Sequence, residues 1–98
     1  VEVEVRVIKG RPYPLPLAVT ADACHTIASA PTLDEAAAMA TLMTTDLLCT
    51  HGGLDTNRAI ALQSIAGDVH ICQMVDPNRT CRFTLPRAVC EQLGMALP

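Results

Sequence analysis

Apolar and charged residues alternate strictly over the first eight positions, "VEVEVRVI". Valines occupy the odd positions from Val1 to Val7, and charged residues occupy the even positions from Glu2 to Arg6. A period of two residues predicts a half-buried β-strand over residues 1–8. The next stretch, "KGRPYPLP", contains three prolines that lack backbone donors, so it predicts a turn and an extended crossing segment. A further strand is expected within residues 17–28.

A helical pattern starts after Pro31. Thr32 and Glu35 have the spacing of a capping box, and Gly52 or Gly53 is suited to end the helix. The apolar residues form two stripes on different sides of this helix: Leu33, Ala36, Ala40, Met43 and Leu47 in one, and Met39, Leu42 and Cys49 in the other. A helix with one buried face normally has a single apolar stripe, so this helix is expected to pack on more than one neighbour.

The remaining pattern is a second helix, a hairpin and a third helix. Asp55 is expected to cap a shorter helix over residues 56–66, which Gly67 ends as a left-handed cap. Residues 67–76 alternate as a strand, "DPNRT" predicts a turn, and "CRFTLP" returns as the second strand. Pro86 is suited to be the first residue of a short helix that stops at Gly94.

The resulting order predicts an α+β fold. It consists of an N-terminal strand, a proline-rich crossing, two consecutive helices, a β-hairpin and a short C-terminal helix. The 98 residues are enough for one domain, so residues 1–98 are expected to form a single unit. Hydrophobic residues make up 50% of the chain but aromatic residues only 2%, so the core must be built from aliphatic side chains. The first residues already predict a strand and there is no initiator Met, which indicates a fragment of a longer protein.

Charge and cysteine content exclude several classes of function. The net charge is −3 and the seven basic residues are spread along the chain, so we expect neither nucleic acid nor a membrane as partner. The longest apolar helical segment is interrupted by threonines and Asp46, and it is too short for a membrane span. Five cysteines without a C-x-x-C pair favour reduced thiols and a cytoplasmic location.

The strand "GDVHICQMVD" carries the candidate chemistry. Its alternation places five ligand-type side chains on one side, namely Asp68, His70, Cys72, Met74 and Asp76. Alternate residues of a strand lie nearly 7 Å apart, so only two neighbours could share one ion. The other histidines, His25 and His51, stand outside any H-x-x-x-H arrangement. An independent zinc-binding domain nevertheless remains an alternative.

Asp68 and His70 are the candidate catalytic residues of this strand. Asp68 follows a predicted helix C-terminus, where the helix dipole disfavours a carboxylate by a few tenths to about 1 kcal/mol. An arginine, a cluster of backbone donors or an ion could offset this cost, so a structural ion pair is the alternative to catalysis. The simpler interpretation of His70 is a hydrogen-bonded, partly buried histidine, and that of Cys72 and Met74 is ordinary buried residues.

Other possible nucleophiles have simpler explanations. Ser64 lies in "LQSIAG", which differs from the G-x-S-x-G elbow, and its hydroxyl could bond to the carbonyl of Ile60. Cys24 and His25 are adjacent, but neighbours on an extended segment point to opposite faces and cannot form a nucleophile–base pair without a bend. "HGG" is better explained as a helix stop than as a phosphate loop.

Taken in order, these motifs resemble the C-terminal portion of the acetamidase/formamidase family. "TLDEAAAMATLMTTDLL" is similar to the family's "LDEA"-type helix start, and "VIKGRPYPLP" to its strand and "KG" turn before a proline segment. The family patterns A-x-x-L-x-S-x-A-x-D, Q-x-V-D-P and L-P-R are matched by Ala59, Leu62, Ser64, Ala66, Asp68, then Gln73, Val75, Asp76, Pro77, and then Leu85, Pro86, Arg87. One departure is Leu17, because the family's proline segment usually continues with Pro-Arg.

The resemblance implies a function for a longer protein. The family hydrolyses small carboxamides, such as acetamide or formamide, and releases ammonia and a carboxylate. It also implies a divalent metal such as zinc, held mainly by upstream residues, with Asp68 as a ligand or supporting carboxylate and His70 as a weaker candidate. The expected partners are the remaining N-terminal part of the amidase, a small amide substrate and further copies in a homo-oligomer. The alternative is a non-catalytic packing and oligomerisation module.

Overall fold

The structure is a computed structural model that describes residues 1–10, 12–14, 16–95 and 97. In chain order its elements are β1 (Leu17–Val19), β2 (Ala23–Ala30), α1 (Leu33–Gly52), α2 (Thr56–Ala66), β3 (Asp68–Gln73), β4 (Arg79–Pro86) and α3 (Arg87–Gln92). The predicted α+β class, the two consecutive helices, the hairpin and the short last helix are confirmed. The predicted strand within residues 17–28 is instead two strands, the short β1 and the longer β2, joined by a turn at Thr20.

The four strands form one antiparallel sheet in the order β1-β2-β4-β3. The longest pairing joins β2 to β4, from Ala23 opposite Pro86 to Ala30 opposite Arg79. Strand β3 pairs with β4 on one side only, so β1 and β3 are the two edges of the sheet. Because cross-strand partners share a face, the register fixes which side chains lie together.

The helices cover one face of this sheet, and the core lies between them. The core residues include Cys24 and Ala28 of β2, Phe83 and Leu85 of β4, and Leu47 of α1. The hydroxyls of Thr26 on β2 and Thr44 on α1 are also buried there, 2.6 Å apart, and both lie within hydrogen-bond distance of the Ala40 carbonyl. A buried hydroxyl is tolerated because it has these partners.

Local capping signals agree with the observed helix ends. The Thr32 hydroxyl accepts a hydrogen bond from the Glu35 backbone N–H at 3.2 Å, and α1 ends before Gly53, which has φ +69°. The Asp55 carboxylate accepts from the Arg58 N–H at 2.8 Å and starts α2. Helix α3 begins one residue later than expected, because Pro86 is its N-cap and not its first residue.

Gly67 is required for a different reason from the predicted one. Its φ is −96° and its ψ 158°, which is extended backbone and not a left-handed cap. A Cβ at this position would lie 2.3 Å from the Phe83 ring atoms Cε1 and Cζ. The chain therefore needs glycine here so that the end of α2 can pass directly over Phe83.

The predicted strand over residues 1–8 is wrong for this structure. These residues have no regular secondary structure, and the four valines at the odd positions are 80–125% exposed. A strand forms only when a neighbour pairs with its backbone and covers its apolar side. Within the described part of the chain, no strand pairs with these residues.

Several apolar side chains on the helices are exposed, including two from the second stripe of α1. Met39 and Leu42 of α1 are 46% and 68% exposed, and Ile60 and Ile65 of α2 are 51% and 84% exposed. Among the helices described, none is long and apolar enough to cross a membrane. These exposed side chains mark faces that no described part of the chain covers.

Candidate active site

The predicted site residues lie on the sheet face opposite the helices, which we call the open face. It is defined by His25 of β2, Arg82 and Thr84 of β4, and Asp68 and His70 of β3. Asp68, His70 and Arg82 are exposed, whereas His25 and Thr84 are half-buried. Polar residues occur here because alternate positions of β2 and β4, such as Thr26 and Phe83, are buried on the other face.

The open face has two rows of side chains. In the first row Thr84 pairs with His25 on one side and with Asp68 on the other. In the second row Arg82 lies between Ile27 and His70. Strands are spaced about 4.8 Å apart, so His25 and Asp68 are separated by roughly 10 Å at their Cα atoms. A small molecule on this face could contact both rows at once.

The surroundings of His25 favour its neutral form. Burial lowers the pKa of His25 below its ordinary value of 6.5, and electrostatic interactions with Arg82 and then His70 lower it further. Its Nδ1 lies 2.9 Å from Thr84 Oγ1, within hydrogen-bond distance. A neutral imidazole with one nitrogen engaged keeps the other free to accept or donate a proton.

Asp68 has none of the partners that the sequence predicts for it. Within the described residues its carboxylate makes no ion pair and no hydrogen bond. Its exposure explains how the position is tolerated, because a hydrated carboxylate near a helix C-terminus is disfavoured by only a few tenths to about 1 kcal/mol. The structural ion pair that was the alternative to catalysis is therefore not found in this part of the chain.

A bulge breaks the predicted row of five ligand-type side chains. His70 pairs with Arg82 and Ile71 with Cys81, but the next pair is Gln73 with Thr80, which leaves Cys72 as an extra residue. Gln73 therefore joins the open face, and β3 ends there before Met74 and Asp76. The structure keeps Asp68 and His70 together and separates the other three from them.

The other possible nucleophiles are excluded by their surroundings. The Ser64 hydroxyl donates to the Ile60 carbonyl at 3.1 Å, as expected. Cys24 is buried on the helix side of the sheet, opposite in direction to His25. A hydrogen bond with Cys90 and then burial raise the pKa of the Cys24 thiol far above its ordinary value, so it is not a reactive thiolate.

The described residues do not make a complete metal site. They contain no group of three or more His, Cys, Asp or Glu side chains close enough to hold one ion. Asp68 and His70 could supply at most two ligands of the usual four. Zinc therefore remains a prediction, and any further ligands would have to come from outside these residues.

Sequence reasoning missed His25, Arg82 and Thr84 as members of this face. In the sequence His25 stands out only as an isolated histidine next to Cys24, and Arg82 and Thr84 only as parts of the returning strand. The alternation of buried residues in β2, "ACHTIASA", carried the signal that His25 lies opposite the core. The local sequence pattern does not show that β2 pairs with β4, because the paired residues lie 49 to 63 positions apart.

Comparison with solved structures identifies close structural relatives. The chain superposes on a recombinant predicted acetamidase/formamidase from the thermophile Thermoanaerobacter tengcongensis with a TM-score of 0.87 and 39% identity over 92% of its length. It superposes on the acetamidase from Bacillus halodurans with a TM-score of 0.82 and 41% identity over 85% of its length. For the acetamidase from Yersinia enterocolitica the TM-score is 0.70 and the identity is 28% over 72% of this chain.

These relatives are much longer than this chain. It spans 30%, 28% and 22% of the three solved chains, in the same order. No protein-family profile matches the sequence, and no curated protein matches it either. The similarity to part of the acetamidase/formamidase structures, which the motifs indicate, is confirmed.

Proposed function

This chain is similar over most of its length to part of the acetamidase/formamidase structures, and from that premise we propose that it is the C-terminal segment of an amide hydrolase. The substrates are small linear carboxamides, which the enzyme converts to a carboxylate and ammonia. The observation that carries the proposal is the 39% identity at a TM-score of 0.87 over 92% of the chain. The matched motifs, including Asp68 and Gln73, support it.

The chemistry of amide hydrolysis sets three requirements. A water molecule must lose a proton as it attacks the carbonyl carbon, the carbonyl oxygen must be stabilised as it becomes negative, and the leaving nitrogen must gain a proton. In this proposal Asp68 orients the attacking water and accepts its proton, and Arg82 donates a hydrogen bond to the developing oxyanion. His70, directly opposite Arg82 in the register, protonates the leaving nitrogen.

The same arrangement explains why this segment alone is expected to be inactive. Asp68, His70 and Arg82 are all exposed on an open sheet face, where water screens their charges. Electrostatic stabilisation of an oxyanion is effective in a site from which water is excluded. The remaining part of the amidase would cover this face, complete the site and supply any further metal ligands.

The experiment measures ammonia released from acetamide and formamide. The chain is assayed alone and then joined to an upstream acetamidase segment that restores the length of its relatives. We expect activity only in the joined protein, and a loss of about 100-fold or more in kcat/KM for Asp68→Asn. Asp22→Asn removes an exposed carboxylate outside the open face and serves as the matched control. An inactive joined protein that is well folded would refute the proposal.

A second candidate function is a non-catalytic packing and oligomerisation module. It is favoured by the uncovered apolar side chains Leu42, Ile60 and Ile65, which are 51–84% exposed. In that case the joined protein would release ammonia equally well with Asp68→Asn as without it. The same assay therefore separates the two functions.

A further inference from the structure

A cavity of about 280 Å³ lies on the helix side of the sheet, between α1, α2 and the β3–β4 pair. Its apolar walls are Ile60 of α2, Val69 of β3 and Phe83 of β4, and Val69 and Phe83 are cross-strand partners. Ile60 and Val69 are 51% and 48% exposed and form its mouth, whereas Phe83 is buried. Elements of this chain alone therefore build the cavity, and the sheet separates it from the open face.

Gln63 of α2 lines this cavity and carries an unpaired hydrogen-bond acceptor. The residue is 5% exposed, and its Oε1 atom is buried without a hydrogen-bond partner among the described residues. Its Nε2 atom donates to Thr45 Oγ1 at 2.8 Å and to the Ala59 carbonyl at 3.2 Å. Because a carbonyl oxygen can only accept, the bond to Ala59 fixes which end of the amide is Oε1. A buried acceptor without a donor is costly, so this position calls for a ligand that donates.

The hydroxyls in the lining of the cavity have already used their hydrogens. Thr41 Oγ1 donates to the Ala37 carbonyl at 2.8 Å, and Ser64 Oγ donates to the Ile60 carbonyl at 3.1 Å. Each hydroxyl has a single hydrogen, so only its oxygen lone pairs remain available. The polar side chains of this cavity therefore accept hydrogen bonds and offer none.

We propose that the cavity binds a small neutral molecule of the arylamine class, with its amino group on Gln63 Oε1 and its ring between Ile60, Val69 and Phe83. An apolar cavity of about 150 Å³ holds one benzene molecule, so this cavity has room for a substituted ring. Among the described residues that line it none is charged, and an ammonium ion would be buried there without a counter-charge. A water molecule fits less well, because its oxygen also requires donors.

A second cavity gives an internal comparison. It measures about 320 Å³ and is lined by Pro16, Ile27, Ala28, Ser29, Met39 and Met43. Its one hydroxyl, Ser29 Oγ, lies 2.7 Å from Thr80 Oγ1. In the part of the chain that the structure describes, Gln63 Oε1 is the buried side-chain atom that lacks a partner, and it does not line this second cavity. An apolar ring could enter the second cavity, but an amino group would gain nothing there.

The test compares aniline, which is uncharged near neutral pH, with toluene, in which a methyl group replaces the amino group. Binding of each to the 98-residue chain is measured by isothermal titration. We expect aniline to bind more tightly than toluene, and Gln63→Met to lower the ratio of the two affinities about tenfold, because the variant keeps the length of the side chain but removes its acceptor. Equal affinities for the wild-type chain, or an unchanged ratio in the variant, would overturn the proposal.

A second pair of variants tests the wall of the cavity without touching its acceptor. Ile60→Ala should weaken the binding of both ligands by about threefold or more, because it removes apolar contact at the mouth. Ile65→Ala makes the same change on α2 at a residue that is 84% exposed and outside the lining, and it should leave both affinities unchanged. Equal weakening by the two substitutions would contradict the assigned position.

The location is read from NOEs between the aniline ring and the protein. The proposal predicts NOEs to the methyl groups of Val69 and to the Phe83 ring, whereas NOEs to Met39 and Met43 alone would place the ligand in the second cavity and overturn it. The titration is repeated with the folded protein in which an upstream acetamidase segment precedes this chain. Aniline binding should persist there, and its loss would overturn the proposal by showing that the longer protein fills the cavity.

Discussion

His25 Nδ1 of β2 lies 2.9 Å from Thr84 Oγ1 of β4, and this contact joins the two central strands on the face opposite the helices. The same Thr84 pairs on its other side with Asp68. The contact therefore links the best-shielded imidazole of the open face to the strand that carries the candidate catalytic carboxylate. Because His25 is part of the folded sheet and its pKa is lowered there, its protonation affects the free energy of unfolding.

The first prediction concerns acid stability. Because the pKa of His25 is lowered on folding, the folded chain binds fewer protons than the unfolded chain below about pH 6.5. The stability that the neutral imidazole contributes is fully present above pH 6.5 and is lost as the pH falls through the lowered folded-state pKa. Urea unfolding at pH 5.5 and 7.5 should show a smaller pH dependence for His25→Gln than for the wild type. An unchanged dependence would contradict the assignment, and His51→Gln, which lies away from the open face, is the control.

The second prediction concerns the passage of α2 over the sheet. Gly67→Ala would place a Cβ 2.3 Å from the Phe83 ring and 2.8 Å from the Gln63 carbonyl oxygen, so the backbone or the ring must move. Overpacking of this kind costs about 1–3 kcal/mol, measurable as a lower free energy of unfolding in urea. Gly52→Ala is the matched control, because its Cβ would come no closer than 3.4 Å to another side chain. Equal effects at the two positions would show that the contact with Phe83 is unimportant.

The third prediction concerns the buried threonine pair. Thr26 and Thr44 are each 1% exposed, and their hydroxyls share the Ala40 carbonyl. Thr26→Val or Thr44→Val should each lower the free energy of unfolding by about 1–2 kcal/mol, because a hydroxyl remains buried with fewer partners. The double variant should cost less than the sum of the two single variants, since no hydroxyl is then left behind. Strict additivity in the double-mutant cycle would contradict the shared network, and Ser29→Ala, at an exposed hydroxyl, is the control.

The fourth prediction concerns thiol accessibility. Cys72 is exposed, Cys49 is intermediate, and the other three cysteines are buried. A colourless aromatic disulfide reagent should therefore modify Cys72 first and Cys49 more slowly. Cys24, Cys81 and Cys90 should react only at the rate of global unfolding. Mass spectrometry of partly labelled protein checks the order, and early labelling of Cys24 would show that its contact with Cys90 does not protect it.

The features that could be predicted from sequence are those set by near neighbours. The Thr32 and Asp55 caps, the stop at Gly53 and the β3–β4 hairpin depend on residues within a few positions of one another. The features that escaped prediction depend on distant parts of the chain. Glycine after a helix suggests a helix cap, but at Gly67 it is needed because the ring of Phe83, sixteen residues away, leaves no room for a Cβ.

The site was predictable to the same limited extent. Alternation placed Asp68 and His70 together correctly, but the bulge at Cys72 could not be seen in a regular pattern. Residues 1–8 show the opposite error, because their alternation is genuine while no partner strand is found in the described part of the chain. A pattern records which face a residue prefers, whereas the formation of a strand also requires a neighbour.

The most direct test of the proposed function is the rate of ammonia release from acetamide by the chain joined to an upstream acetamidase segment. The account predicts that the chain alone is inactive, that the joined protein is active, and that Asp68→Asn removes the activity while Asp22→Asn keeps it. Undiminished ammonia release by the joined Asp68→Asn protein would contradict the assignment of the open face as part of the active site.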